Sequence, residues 1–181
     1  MAKPRAKRGD VFSIPIDDRR LGYGQVVLKN HSSFPIYIVV FGTAYDRNQE
    51  VSLNEIVADG IALVGASMDA RIYHGMWKII GNIEPDRSRI PRPNFKVYIG
   101  GSDFVENFDG NRLREATPED VRHYDNRWSR APMGFESAIK AIHGVGIWES
   151  NFDKLTFKHA LDQATDAPDK TLHPTAGNAP V

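Results

Sequence analysis

The chain has 181 residues, 41% apolar and 25% charged, and its 23 basic and 23 acidic side chains cancel to no formal net charge. That length suits one domain with a sizeable core and is short for two, while the composition excludes wholesale disorder and fibrous repeats. The neutral balance removes the overall field expected of a dedicated nucleic-acid binder, and the lack of cysteine excludes disulfides and thiolate metal sites, so a cytoplasmic location and no nucleic-acid partner are expected.

Residues 1–8 carry Lys3, Arg5, Lys7 and Arg8 without apolar partners and read as a basic flexible arm. The arm runs into Gly9 and Asp10 instead of an apolar segment, so it is not read as a secretion signal. No apolar run approaches the roughly 20 residues of a membrane helix, and no membrane partner is expected.

Three strands follow. Residues 11–16 are rich in β-branched and aromatic side chains, 17–20 form the polar turn Asp17-Asp18-Arg19-Arg20, 23–29 are a second apolar run and 35–41 a third. In the third run Ile36, Ile38 and Val40 share one face, and Tyr37, Val39 and Phe41 the other. Both faces therefore need cover, which places this strand at the centre of a sheet.

Residues 42–51 read as a polar connection. Ser52 and Glu55 have capping-box spacing, Leu53, Ile56 and Val57 share a helical face, and Gly60 is a natural stop. Residues 61–64 return as a short strand. The following Gly65-Ala66-Ser67 lacks the second glycine of a nucleophile elbow, so Ser67 is not read as catalytic. A long strand is expected over 71–82, with Trp77 in the core and its indole nitrogen bonded to a carbonyl. Pro85, Pro91 and Pro93 make 83–94 an ordered loop or edge, because proline removes donors that a central strand needs.

Residues 95–99 alternate as a half-exposed strand ended by Gly100-Gly101, and 104–115 read as a hairpin turning at Asp109-Gly110. Helices then take over. Thr117-Pro118-Glu119-Asp120 is a start signal, Phe135, Ala138, Ile139 and Ile142 have helical spacing closed by Gly144, and a weaker helix follows Thr156. Beyond Thr165 the apolar pattern stops. The expected organisation is a single globular domain over 9–164 and a disordered tail over 165–181. Its fold class is α+β: a strongly bent antiparallel sheet or partly closed barrel, with two or three helices packed on one side.

The residues show no catalytic constellation. No two of the six histidines lie three to five residues apart, so no helical metal pair exists, and Gly22-Tyr23-Gly24 lacks the third glycine of a dinucleotide fingerprint. Neither metal nor cofactor is expected. Acidic residues gather at turns, above all Asp17, Asp18, Glu84 and Asp86, with Tyr23 and Tyr98 nearby as aromatic anchors. They read either as solvated turns or as a surface for a basic protein partner.

The opening Gly9-Asp10-Val11-Phe12-x-Ile14-Pro15-Ile16, the acidic turn, Gly22-Tyr23-Gly24-Gln25-Val26, and later Trp77-Lys78-Ile79-Ile80-Gly81-Asn82 with Pro91 and Pro93, together resemble the immunity protein 26 family of bacterial polymorphic toxin systems. The resemblance spans about residues 7–98 and implies a small cytoplasmic protein, without catalysis, that binds and neutralises a cognate toxin domain. Its matching positions Gly9, Asp10, Gly24, Trp77 and Gly81 look structural, and it carries no catalytic motif. A rival of another class is a messenger-RNA-cleaving toxin with an SH3-like barrel, in which Arg19, Arg20 and Thr43 act on phosphate, or a plain RNA-binding barrel. The neutral charge weighs against both.

Overall fold

The computed structural model describes residues 5–29 and 35–164. The tail expected over 165–181 and the first four residues of the basic arm lie outside the described residues. Within the span expected as one domain, the described residues group into two compact units, one formed by 5–29, 35–92 and 128–162, the other by 93–127 with Gln163 and Ala164.

The first unit is organised by an antiparallel sheet. Its strands are β1 (Asp10–Pro15), β2 (Arg20–Lys29), β3 (Ile36–Phe41), β4 (Tyr45–Asp46), β5 (Ile61–Ser67) and β6 (Lys78–Asn82). Their order is β5-β3-β2-β1-β6, with the short β4 pairing β2 inside the stretch expected to be a plain connection. β3 is an interior strand, paired with β5 and β2 on its two sides, and is buried along its whole length. The register aligns Val11, Gln25, Val39 and Val64 on one face, and Phe12, Gly24, Val40 and Leu63 on the other. Register shifts in the β1–β6, β2–β3 and β3–β5 pairs bend the sheet, since each extra residue kinks its strand. The sheet stays open, its outer strands being β5 and β6.

The Phe12 face carries the main core. Phe12, Ile14, Ile16, Ile38, Val40 and Leu63 are joined there by Phe135, Ala138 and Ile139 of α4 (Pro132–Ile142) and by Phe152 and Leu155 of a 3-10 segment, Ser150–Leu155. Glycine makes this packing possible. A Cβ on Gly22 would stand 3.3 Å from Ile16 and 3.6 Å from Ile139, and one on Gly65 would stand 3.1 Å from Phe135. On the other face Leu53 of α1 (Leu53–Ala58) lies against Gly81, and Ile56 of the same helix is buried. The capping box of Ser52 and Glu55 is formed as the spacing predicts. α5 (Phe157–Asp162) follows, beside the edge of β5 where Leu63 bridges Thr156.

The expected long strand over 71–82 is corrected. Ala70–Tyr73 forms a one-turn helix, α2, Gly75 adopts φ 71°, and only Lys78–Asn82 is strand. The reason is topological: β5 and β6 leave opposite ends of the sheet, so the connection must cross the Phe12 face, and it buries Ile72 and Trp77 as it does so. The segment 5–8 is also tied down. Ala6 is buried in the core, Arg5 lies 4.7 Å above the Tyr73 ring, and Gly9 N–H donates to the Val26 carbonyl at 2.8 Å.

The second unit contains β7 (Phe95–Ile99), β8 (Ser102–Glu106) and β9 (Arg112–Glu115) in that order, with the hairpin turn where Asp109-Gly110 predicts it. α3 (Pro118–His123) starts at a capping box between Thr117 and Asp120. Asp120 is buried and also receives both arms of the Arg114 guanidinium, which holds its carboxyl well below the usual range. Gln163 closes the unit, accepting from Asp125 N–H at 2.7 Å and donating to the His123 carbonyl at 2.9 Å. No helix among the described residues is long and apolar enough to cross a membrane.

Candidate functional site

The acidic turn between β1 and β2 is internally bonded. Asp17 Oδ1 accepts from the backbone N–H groups of Arg19 and Arg20 at 2.9 and 2.8 Å, and its Oδ2 accepts from Arg20 Nε at 2.8 Å. The Arg20 side chain foremost, with these backbone donors, brings the Asp17 carboxyl down to about 2. Arg20 also reaches the His143 carbonyl at 3.3 Å, which fastens the turn to the C-terminal end of α4. Arg20 is thereby engaged on two sides. Asp18 stands at the tip, exposed.

Glu84 and Asp86 sit elsewhere. Asp10 pairs with Asn82, so residues 84–86 leave the opposite end of β1 from the 17–18 turn. At about 3.3 Å per residue, the length of β1 separates the two acidic groups by roughly 17 Å along the strand. They do not form one patch. Glu84 is exposed and paired with Arg8. Asp86 caps the 3-10 turn Arg87–Arg89, accepting from Ser88 Oγ at 2.6 Å and Ser88 N–H at 3.0 Å, and these bonds lower its pKa.

The two aromatic candidates differ. Tyr23 is only 7% exposed and rests against Tyr45 with ring centroids 5.5 Å apart, so it serves the fold first; burial raises its phenol pKa. Tyr98, on β7 of the second unit, is 71% exposed. Among the described residues, Asp18, Glu84, Asp86 and Tyr98 are therefore the proposed contacts that face solvent.

The motif positions have structural duties. Trp77 is buried and stacks on Phe12, with centroids 5.0 Å apart and planes 3° from parallel. Its indole nitrogen donates to Glu136 Oε2 at 3.2 Å, a carboxylate where a carbonyl was expected. Glu136 is also held by Arg71 at 3.4 Å and Lys140 at 2.8 Å. A Cβ on Gly24 would stand 2.6 Å from the Phe12 ring, so the edge of the ring that stacks on Trp77 lies against glycine. Asp10 Oδ1 accepts from Asn82 at 2.8 Å and its Oδ2 from Lys7 N–H at 2.7 Å, which joins the start of β1 to the end of β6. Ser67 is buried at the end of β5 and donates to the Met68 carbonyl at 3.2 Å. No group of three or more His, Asp or Glu among the described residues is placed to hold a metal ion.

Sequence reasoning missed one surface. Met68, Met76 and Met133 are each more than half exposed, as is Trp128. A signal was present for Met133, which falls off the stripe formed by Phe135, Ala138, Ile139 and Ile142.

The chain is thus an α+β protein whose open, bent sheet is stiffened by motif residues at its core, with candidate binding residues at its turns. The family model for immunity protein 26 matches residues 7–103, more than half of the chain, and the chain belongs to that family. The matched span takes in the whole first sheet and continues through β7, while α3, α4 and α5 lie beyond it. Neither the curated proteins nor the solved structures contain a match.

Proposed function

We propose that this protein neutralises the effector domain of a cognate bacterial toxin by binding it, without catalysis, in the cytoplasm. The observation that carries the reading is the family match over residues 7–103. The motif residues within that span, Trp77, Gly24, Gly81 and Asp10, stiffen a scaffold, as suits a protein that acts by occupancy. Its contacts with the toxin include the exposed turn residues Asp18, Glu84 and Asp86, and Tyr98 as an aromatic anchor. Carboxylates at the rim would speed encounter with a basic toxin surface and disfavour wrong partners.

The test is co-expression with the toxin domain encoded by the adjoining gene, followed by co-purification and growth rescue. Protection is expected to track complex formation at fixed stoichiometry, with no cofactor or turnover. Rescue at strongly substoichiometric levels would instead mean that the toxin or its product is destroyed enzymatically.

A further inference from the structure

Met68, Met76 and Met133 are carried on segments tied to one another at the end of β5 and along α4. Arg130 N–H donates to the Ala66 carbonyl at 2.9 Å and Arg130 bridges Ser67, which brings Met68 and the segment 128–133 to the same end of β5. From there α2 leads to Met76, whose sulfur accepts from Arg71, and Arg71 pairs with Glu136 one turn beyond Met133 on α4. Three thioethers, 53%, 51% and 59% exposed, and an indole, 67% exposed, therefore share one region of the first unit. Methionine is ordinarily among the more buried residue types, and its unbranched, polarisable side chain suits a binding face that adapts to its partner.

The charges around this face are unequal. Arg5, Arg71, Arg130 and Lys140 stand there against Asp69 and Glu136. Both carboxylates are engaged, Asp69 by Arg5 at 3.9 Å and Glu136 by Arg71 and Lys140. Arg130 has no side-chain hydrogen bond or ion pair among the described residues.

We propose that Met68, Met76, Met133 and Trp128 form a docking face for the toxin domain, and that the toxin meets it with an apolar surface rimmed by carboxylates, apart from the basic surface that meets the acidic turns. The inference deepens the immunity reading and rests on it. An apolar centre with a charged rim is the usual anatomy of a protein interface, and the excess of cations selects the sign of the partner's rim. Met133 and Trp128 lie beyond residues 7–103, so the face joins the family scaffold to a part of the chain outside the match.

The experiment uses the full chain and the purified toxin domain encoded by the adjoining gene. Binding is measured by titration for wild type, for the double variant Met68→Glu with Met133→Glu, and for Arg130→Glu, with melting curves to establish folding. Amide exchange of the wild-type protein, free and bound, gives a readout independent of any variant. The double variant is expected to raise Kd roughly 30-fold or more, as for a hot-spot pair. Arg130→Glu should slow association and flatten its salt dependence, and amides over 66–76 and 128–137 should gain protection in the complex. Wild-type binding with unchanged variant Kd values and no protection there would overturn the docking face and leave the immunity reading standing. A dimer that the double variant converts to monomer, with toxin binding intact, would assign the face to a second copy and overturn the proposal. Absence of wild-type binding would refute the immunity reading and this inference with it.

Discussion

Replacing Trp77 by alanine tests the centre of the scaffold. The indole is fully buried, stacked on Phe12 and bonded to Glu136. A buried tryptophan removes about 200 Å² from water, which at about 25 cal/mol per Å² corresponds to about 5 kcal/mol. Measured truncations of Trp and Phe to alanine fall at about 3–5 kcal/mol, because the cavity left behind relaxes only in part. Glu136 keeps Arg71 and Lys140 as partners, so loss of the indole donor adds little. A fall of about 3–5 kcal/mol is a large share of the usual 5–15 kcal/mol margin of a folded domain. Urea unfolding followed by fluorescence of the remaining tryptophans should show a midpoint lowered accordingly with an unchanged slope. Trp77→Phe, which keeps a ring over Phe12, should recover most of the loss. A Trp77→Ala protein within 1 kcal/mol of wild type would refute the reasoning, and if it also lost partner binding the residue would be an interface contact.

Two glycines should respond differently to alanine. At Gly24 the new Cβ meets the Phe12 ring at 2.6 Å and the Val39 carbonyl at 2.8 Å, neither of which can move freely, so a loss of about 1–3 kcal/mol is expected by chemical denaturation. At Gly81 the closest atom, at 2.5 Å, is the Leu53 methyl, the end of a flexible side chain, and Gly81→Ala should cost less than Gly24→Ala; the reverse order would contradict the packing described. The carboxyl of Asp17 is lowered from 3.8 to about 2, so its charged form favours the folded state: its contribution is complete above about pH 4 and is lost as pH falls towards 2. The melting temperatures of wild type and Asp17→Asn should therefore differ at neutral pH and converge across that window. A difference that persists unchanged at pH 2 would mean that the turn is held by something other than the Asp17 charge.

What the sequence alone determined is mostly local. The alternation of 36–41 predicts a strand covered on both faces, and the structure buries all six residues of β3, because strand periodicity follows from the backbone itself. The capping box at Ser52 and Glu55 and the helix start at Thr117 were legible for the same reason, since each involves residues three apart in the chain. The six candidate contacts could be named but not grouped: strand register sends Asp17 and Asp18 to one end of β1 and Glu84 and Asp86 to the other, and buries Tyr23 against Tyr45. Register is a long-range property that no window around Asp17 contains.

The path of 70–82 and the exposed methionine face were decided by the tertiary structure. Trp77 and Ile72 share a core only because the chain must recross the sheet between β5 and β6, a requirement set by strand order and not by local propensity. Met68, Met76, Met133 and Trp128 are spread over some sixty positions, and the segments that carry them are joined by the Arg130 bridge to β5 and the Arg71–Glu136 pair. Hydrophobicity favours burial of each, yet the interior is already filled by Phe12, Trp77, Phe135 and their neighbours. Close packing admits no further side chains there, so these four remain at the surface.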